Sequence, residues 1–107
     1  MTDISHHCPQ AGTLRLVVQG PLTIYDAQAL KNRLLELLSE VPLQALELDL
    51  AQVPEIDTSG VQLLLLAARE AQRHEATVHT VAASEAVREV LEFCRLGAVL
   101  GLTPASA

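Results

Sequence analysis

The sequence predicts a single small α/β domain with a largely parallel sheet. Three segments have the alternation or the β-branched residues of strands, and each is followed by a segment whose apolar residues recur at helical spacing. The chain has 107 residues, half of them apolar, which is enough to bury the core of one such domain. A strand, helix, strand order implies right-handed crossovers, with the helices packed beside the sheet.

The first predicted strand and helix follow a polar beginning. Residues 1–12 are interpreted as a loose tail with at most a short edge strand. Residues 13–20 partly alternate and predict a strand, which the Gly20-Pro21 pair ends. Asp26 is the expected N-cap of the first helix, and Pro42 ends that helix. The apolar positions of the helix are Ala27, Leu30, Leu34, Leu37, Leu38 and Val41.

Two further pairs of strand and helix complete the prediction. Residues 45–50 alternate, with three leucines on one face, and predict a short central strand before a helix over about residues 58–74. Residues 76–82 predict a third strand, and Ser84 is a good N-cap for a third helix. The expected core face of that helix is Val87, Val90, Leu91 and Cys94. Residues 99–102 form either a last short strand or a tail packed on the sheet.

The charge of the chain argues against several classes of function. Seven basic residues stand against thirteen acidic ones, and the net charge of -6 disfavours binding to nucleic acid or to an anionic membrane surface. The longest strongly apolar stretch, residues 61–68, is too short to insert across a bilayer. The first residues lack the basic and apolar regions of a signal peptide. We therefore expect a cytoplasmic protein in which Cys8 and Cys94 are free thiols.

The junction Asp57-Thr58-Ser59-Gly60 is the most informative motif. It gathers a carboxylate and two hydroxyls where the second helix begins. The start of a helix has free backbone N–H groups and a partial positive charge, so it is suited to hold an anion or a phosphate group. Such residues are also common as ordinary helix caps, and the local pattern leaves both interpretations open.

The second helix has more apolar residues than one sheet requires. One stripe suffices to face the sheet: Val61, Leu64, Leu65, Ala68 and Ala71. Leu63, Leu66 and Ala67 lie off that stripe. They form either a second packing surface beside the hydroxyls or a face that the first or third helix covers. If this face is exposed, a phosphate on the neighbouring hydroxyls would place about -1.5 to -2 charges at the rim of the interface, and an apolar partner would dissociate.

Other sites are not supported by the sequence. The spacing of His6-His7-Cys8 is too tight for a tetrahedral metal site. The chain has no Gly-rich phosphate loop, and nothing in it positions a histidine beside Ser59. We therefore predict no catalytic residue, no metal site, no cofactor and no enzymatic activity.

From residue 46 through the Asp57–Gly60 junction to the Leu-rich helix, the chain resembles the STAS domain of bacterial anti-sigma factor antagonists. Gly20-Pro21-Leu22, the strand at 76–82 and the helix from Ser84 also fit, so the resemblance covers about residues 13–100. It implies a single STAS domain over residues 13–102, between an N-terminal tail (1–12) and a C-terminal tail (103–107). The implied fold is a mixed sheet of four or five strands with helices mainly on one side.

The resemblance also implies a site and partners. In such antagonists a serine kinase of the histidine-kinase-like ATPase fold phosphorylates the second hydroxyl of the motif, here Ser59, with Thr58 the less favoured position. This kinase is also the anti-sigma factor; phosphorylation prevents its binding, and a PP2C-type phosphatase reverses the modification. The expected partner-binding residues are Leu22, Thr23, Ile24, Tyr25, Asp57, Thr58, Ser59, Gly60, Leu63, Leu66 and Ala67.

Related STAS proteins provide the alternative. Some dock constitutively on the ATPase of a phospholipid ABC transporter, and others belong to chemotaxis or two-component signalling complexes. Many of these have alanine where this chain has Ser59, so the hydroxyl favours the phosphorylated switch. Ile24, Tyr25 and the run of leucines at 63–66 make the surface more apolar than in a transient antagonist. A permanent partner or a homodimer is therefore a second expectation.

Overall fold

Four strands form one mixed sheet in the order β1-β2-β3-β4. The computed structural model describes residues 2–39 and 43–102. The elements in chain order are β1 (Asp3–Gln10), β2 (Thr13–Gln19), α1 (Ile24–Ser39), β3 (Ala45–Gln52), α2 (Thr58–Arg73), β4 (Thr77–Ala83) and α3 (Glu85–Phe93). The strand β1 runs antiparallel to β2, whereas β2, β3 and β4 are mutually parallel. The predicted α/β fold with a mixed sheet is confirmed.

The core lies between the sheet and the helices. Alternate leucines of β3, namely Leu46, Leu48 and Leu50, are each at most 1% exposed. Leu14 and Leu16 of β2 lie in register with the first two and are also buried. Right-handed crossovers in one direction along the sheet place α1 and α2 on the same face, over these leucines. The side chains that alternate with them stay partly exposed, and among them Arg15 pairs with Glu47 at 2.7 Å.

Residues 3–10 form the edge strand that the sequence left open for residues 1–12, and for them the interpretation as a loose tail is wrong. These residues form β1, which pairs with β2 from Asp3 opposite Gln19 to Gln10 opposite Thr13. Gly12 has a φ of 80° and completes the tight turn between the strands. Nearly every side chain of β1 is exposed, so the strand has no buried face to produce an alternating pattern.

Two predictions about the helices are wrong, one about a cap and one about a core residue. Asp26 is not an N-cap, because α1 begins at Ile24 and the carbonyl of Thr23 accepts the N–H of Ala27 at 3.0 Å. Cys94 is not a core residue, since it lies exposed just beyond the end of α3. The expected cap Ser84 is confirmed by a 3.2 Å bond from the N–H of Val87 to its hydroxyl.

The end of the described chain is a tail packed on the sheet. Leu100 and Leu102 are buried, and the only pairing is a single bridge between Leu102 and Thr80. The Thr80 hydroxyl donates to the carbonyl of Leu100 at 2.8 Å. The predicted end of the first helix at residues 41–42 and the C-terminal tail at 103–107 lie outside the described residues. None of the helices within 2–39 and 43–102 is long and apolar enough to cross a bilayer.

Candidate functional site

The loops that precede α1 and α2 are bonded to each other. The N–H of Leu22 donates to the carbonyl of Glu55 at 2.9 Å, and the N–H of Asp57 donates to the carbonyl of Leu22 at 3.1 Å. The side chain of Leu22 is only 1% exposed. This pairing continues the parallel ladder of β2 and β3 beyond the strands and brings the starts of the two helices together. Leu22, predicted as a contact residue, is therefore a buried anchor of the site.

Gly60 permits the close approach of these loops. A Cβ atom at this position would overlap the carbonyl oxygen of Leu22 and lie 2.8 Å from the Cγ1 atom of Ile56. The oxygen belongs to backbone that is hydrogen-bonded to Asp57, so rotation of a side chain cannot relieve the overlap. Only glycine fits here, and the motif's last residue is explained by packing.

Asp57 caps both helices with one carboxylate. Its Oδ1 atom accepts the N–H of Gly60 in α2 at 3.1 Å, and its Oδ2 atom accepts the N–H of Ile24 in α1 at 3.0 Å. Each bond satisfies an N–H group that the first turn of a helix leaves without a partner. The N–H of Ile24 is the largest cause that lowers the pKa of Asp57. Burial opposes it as the second largest effect, and the N–H of Gly60 adds a smaller lowering.

This lowered pKa predicts a dependence of stability on pH. Asp57 stabilises the fold while it is ionised, and that contribution is lost as the pH falls through its folded pKa. The difference in free energy of unfolding between wild type and Asp57→Asn is expected to be largest near neutral pH. It should begin to shrink below about pH 5, where aspartate in the unfolded chain begins to protonate. Urea unfolding of both proteins over this range measures the difference.

Glu55→Gln is the matched control for this series, because Glu55 is an exposed carboxylate of the same loop. We expect its substitution to change the free energy of unfolding little at any pH. A difference between wild type and Asp57→Asn that stays constant through the acid range would contradict the role of the ionised carboxylate.

The two hydroxyls of the motif lie at the first two positions of α2. Thr58 is exposed and Ser59 is half-buried. Neither side-chain hydroxyl is bonded to another group in the described part of the chain, so neither acts as the cap of the helix. Asp57 takes that role, which leaves both hydroxyls available for modification or for contact with another molecule.

Exposed apolar side chains lie beside these hydroxyls. Ile24 is 66% exposed and Tyr25 is 93% exposed, at the start of α1 that Asp57 holds against α2. Thr23 is half-buried just before them. Exposed large apolar residues next to a helix start provide a contact surface.

Of the two alternatives for the face of Leu63, Leu66 and Ala67, cover by the first helix holds for two of the three residues, so Leu63 and Ala67 are not exposed for the predicted contact with a partner. Leu63 is 6% exposed and Ala67 is 1% exposed, because α1 packs against this side of α2. Leu66 is half-buried, as is Leu65, which was assigned to the face toward the sheet. Contact with α1 thus covers most of the apolar residues of α2 that lie off the stripe facing the sheet.

A groove remains between the two helices. It has a volume of about 570 Å³ and is open to solvent along one side. Ser59 lines it, together with Ala27, Gln28, Lys31, Gln62, Leu63, Leu65, Leu66 and Arg69. Sequence reasoning missed the polar members, because Lys31 and Arg69 follow the helical pattern of an ordinary solvated face. Only the packing of α1 on α2 brings them together.

No group of three or more metal-binding side chains occurs in the described ranges. The three donors of His6-His7-Cys8 are exposed on β1. The prediction that the chain has no metal site remains a prediction.

Residues 9–103 match the model of a protein family described as "Mlab, STAS domain". The chain belongs to the STAS domain family. The match includes β2, β3, β4 and the three helices, but only the last two residues of β1. It therefore covers both helix starts and the groove. A search of curated protein sequences finds no match.

Solved structures share this STAS fold. An anti-sigma factor antagonist from Mycobacterium paratuberculosis is similar, with a TM-score of 0.81, 20% identity, and coverage of 98% of this chain and 87% of that one. For the antagonist SpoIIAA in its unphosphorylated form, the TM-score is 0.76 and the identity is 19%, and the match covers 90% of this chain and 84% of that one. For the phosphorylated form of the Bacillus protein SpoIIAA, the TM-score is 0.70 and the identity is 18%, and the match covers 90% of this chain and 86% of that one. At these identities the likeness establishes the fold.

Proposed function

We propose that this STAS domain is a regulatory protein-binding module whose partner binding is switched off by phosphorylation of Ser59. The proposed partner is an anti-sigma factor of the histidine-kinase-like ATPase fold that also acts as the serine kinase. A PP2C-type phosphatase would restore binding. The module itself has no catalytic role in this proposal.

The observation that carries this proposal is the shared cap at Asp57. One carboxylate holds the starts of α1 and α2 together. The unbonded hydroxyl of Ser59 therefore lies at the same end of the molecule as the exposed side chains of Ile24 and Tyr25. The existence of SpoIIAA in unphosphorylated and phosphorylated forms supports the same interpretation.

The expected effect of phosphorylation is electrostatic. A phosphoserine carries about -1.5 to -2 charges near pH 7. An interface that buries Ile24 and Tyr25 would have to desolvate that charge, which costs far more free energy than covering a neutral hydroxyl. The chain already carries a net charge of -6, so the added charge also strengthens repulsion of an acidic partner.

Substitution at Ser59 tests the switch. Wild type, Ser59→Ala and Ser59→Asp are used as baits in lysate of the source cells, and the partner so identified is then titrated by calorimetry. We expect Ser59→Ala to bind as wild type does, and Ser59→Asp to weaken binding by roughly 10- to 100-fold, which corresponds to about 1.4–2.7 kcal/mol.

Thr58→Asp is the matched control, since it places the same charge one residue away on an exposed position. We expect it to weaken binding less than Ser59→Asp. Equal affinity of wild type, Ser59→Ala and Ser59→Asp for the partner would overturn the switch.

A second candidate function is a constitutive assembly subunit, on the ATPase of a phospholipid ABC transporter or in a two-component or chemotaxis complex. The 66% and 93% exposure of Ile24 and Tyr25 favours it, because a surface this apolar suits a permanent interface or a homodimer. In this case Ser59→Asp and wild type would hold the same partner, and the complex would persist through gel filtration.

A further inference from the structure

The groove between α1 and α2 contains two cations without ion-pair partners. Three of the other arginines are paired with glutamates: Arg15 with Glu47, Arg33 with Glu36, and Arg73 with Glu70. Lys31 of α1 and Arg69 of α2 form no ion pair with any described residue, and both line the groove. In a chain with a net charge of -6, this is a local site of positive charge on an acidic protein.

The floor of the same groove is apolar. Leu63, Leu65, Leu66 and Ala27 line it, and all except the buried Leu63 are half-buried. Ser59, Gln62, Leu66 and Arg69 follow one another along one stripe of α2 at spacings of three or four residues. The ten steps from Ser59 to Arg69 span about 15 Å at the rise of an α-helix, which is the length of about three helical turns.

We propose that this groove binds an acidic amphipathic helix of a partner protein. Leucine-type side chains of that helix would pack on Leu65 and Leu66, and its carboxylates would pair with Lys31 and Arg69. This inference deepens the proposed function and rests on it only for the existence of a protein partner.

The shape of the groove favours a helix over a small molecule. A site for a small ligand encloses most of its ligand, whereas this groove is open along its side. An amphipathic helix presents apolar residues at helical spacing to a groove and keeps its charged residues at the rim. The open groove matches that division, with leucines in its floor and exposed cations along its walls.

The position of Ser59 gives the groove a direct link to regulation. Ser59 lines the groove at the end opposite Arg69 along α2. A phosphate on Ser59 would repel the carboxylates of an acidic helix that lies in the groove. The partner chemistry thus supplies a physical reason why phosphorylation at this residue would release the partner.

A display selection tests the partner chemistry without knowledge of the partner. The purified full chain is the bait for a library of helix-forming peptides of about 12 residues, long enough for the groove. We expect the enriched peptides to carry apolar residues at helical spacing and a net negative charge. The double variant Lys31→Glu, Arg69→Glu should bind these peptides at least about tenfold more weakly, because two attractive pairs become repulsive.

The matched control is the double variant Arg33→Glu, Arg73→Glu. It changes the charge equally and lies on the same two helices, but neither residue lines the groove. We expect it to keep the affinity of wild type. All these side chains are exposed, and thermal unfolding checks that each variant keeps its fold.

The proposal is overturned by any of three results: no enriched peptide, enriched peptides that are neutral or basic, or equal loss of binding in the two double variants. Ser59→Asp separates this inference from the switch. Acidic peptides that need Lys31 and Arg69 but still bind Ser59→Asp would support the groove and contradict the switch at Ser59. If Ser59→Asp weakens partner binding but no acidic peptides are selected, the switch at Ser59 is supported and the acidic helix in the groove is contradicted.

Discussion

Replacing Gly60 with alanine is expected to lower the free energy of unfolding by about 1–3 kcal/mol, the usual cost of forcing extra atoms into a packed site. The added Cβ atom would overlap the carbonyl oxygen of Leu22, which is part of the backbone that joins the two helix starts. Alanine gains up to about 1 kcal/mol in helix propensity over glycine. We expect the clash to outweigh that gain, because the loop has to move away from α2. Chemical denaturation of both proteins measures the change.

Gly97→Ala is the matched control for this substitution. A Cβ atom at Gly97 would meet only the side chain of Leu102, at 3.8 and 3.9 Å, which is ordinary van der Waals contact. We expect its free energy of unfolding to stay within about 1 kcal/mol of wild type, with a gain from reduced entropy of the unfolded chain. Similar losses at the two positions would contradict the role assigned to the approach of Leu22 to Gly60.

The substitution Leu48→Ala is expected to be strongly destabilising, with a loss of about 2–5 kcal/mol in the free energy of unfolding. Leu48 is 1% exposed on the central strand β3, where it lies in register with Leu16 on one side and Thr80 on the other. Its removal leaves a cavity that neighbouring strands cannot close without loss of their backbone pairing. Urea unfolding monitored by circular dichroism gives the change.

Leu66→Ala separates stability from binding. Leu66 is half-buried in the groove, so the same truncation removes less buried surface there. We expect its cost in stability to be well below that of Leu48→Ala, while its binding of the selected acidic peptides falls. A cost as large as that of Leu48→Ala would show that Leu66 belongs to the core rather than to the binding surface.

The local sequence predicted those features that depend on neighbouring residues. Leu46, Leu48 and Leu50 alternate because one face of β3 is buried, and that pattern is visible without any knowledge of the fold. The Asp57–Gly60 junction marked the start of α2, since caps act on N–H groups within one turn. Resemblance to STAS domains added the mixed sheet, which the antiparallel pairing of β1 with β2 and the parallel pairing of the other strands confirm.

Features that depend on contacts between residues far apart in the chain were not predicted, or were predicted incorrectly. The strand β1 is held by backbone bonds to β2 and has exposed side chains, so it leaves no hydrophobic pattern. The second bond of Asp57 joins residues 33 positions apart, and no periodicity reports such a pairing. For Leu63 and Ala67 the sequence left both an outer face and cover by another helix open, because whether a helix face is covered depends on where the neighbouring helix packs.

The sequence by itself determined the order of strands and helices from β2 to α3 and the hydroxyl-bearing start of α2, because each depends on side-chain type and short-range spacing. The tertiary structure alone decided that one carboxylate caps two helices, that glycine is required beneath Leu22, and that two cations share a groove with Ser59. These are properties of close approach between segments far apart in the chain, and packing of the whole core sets that approach.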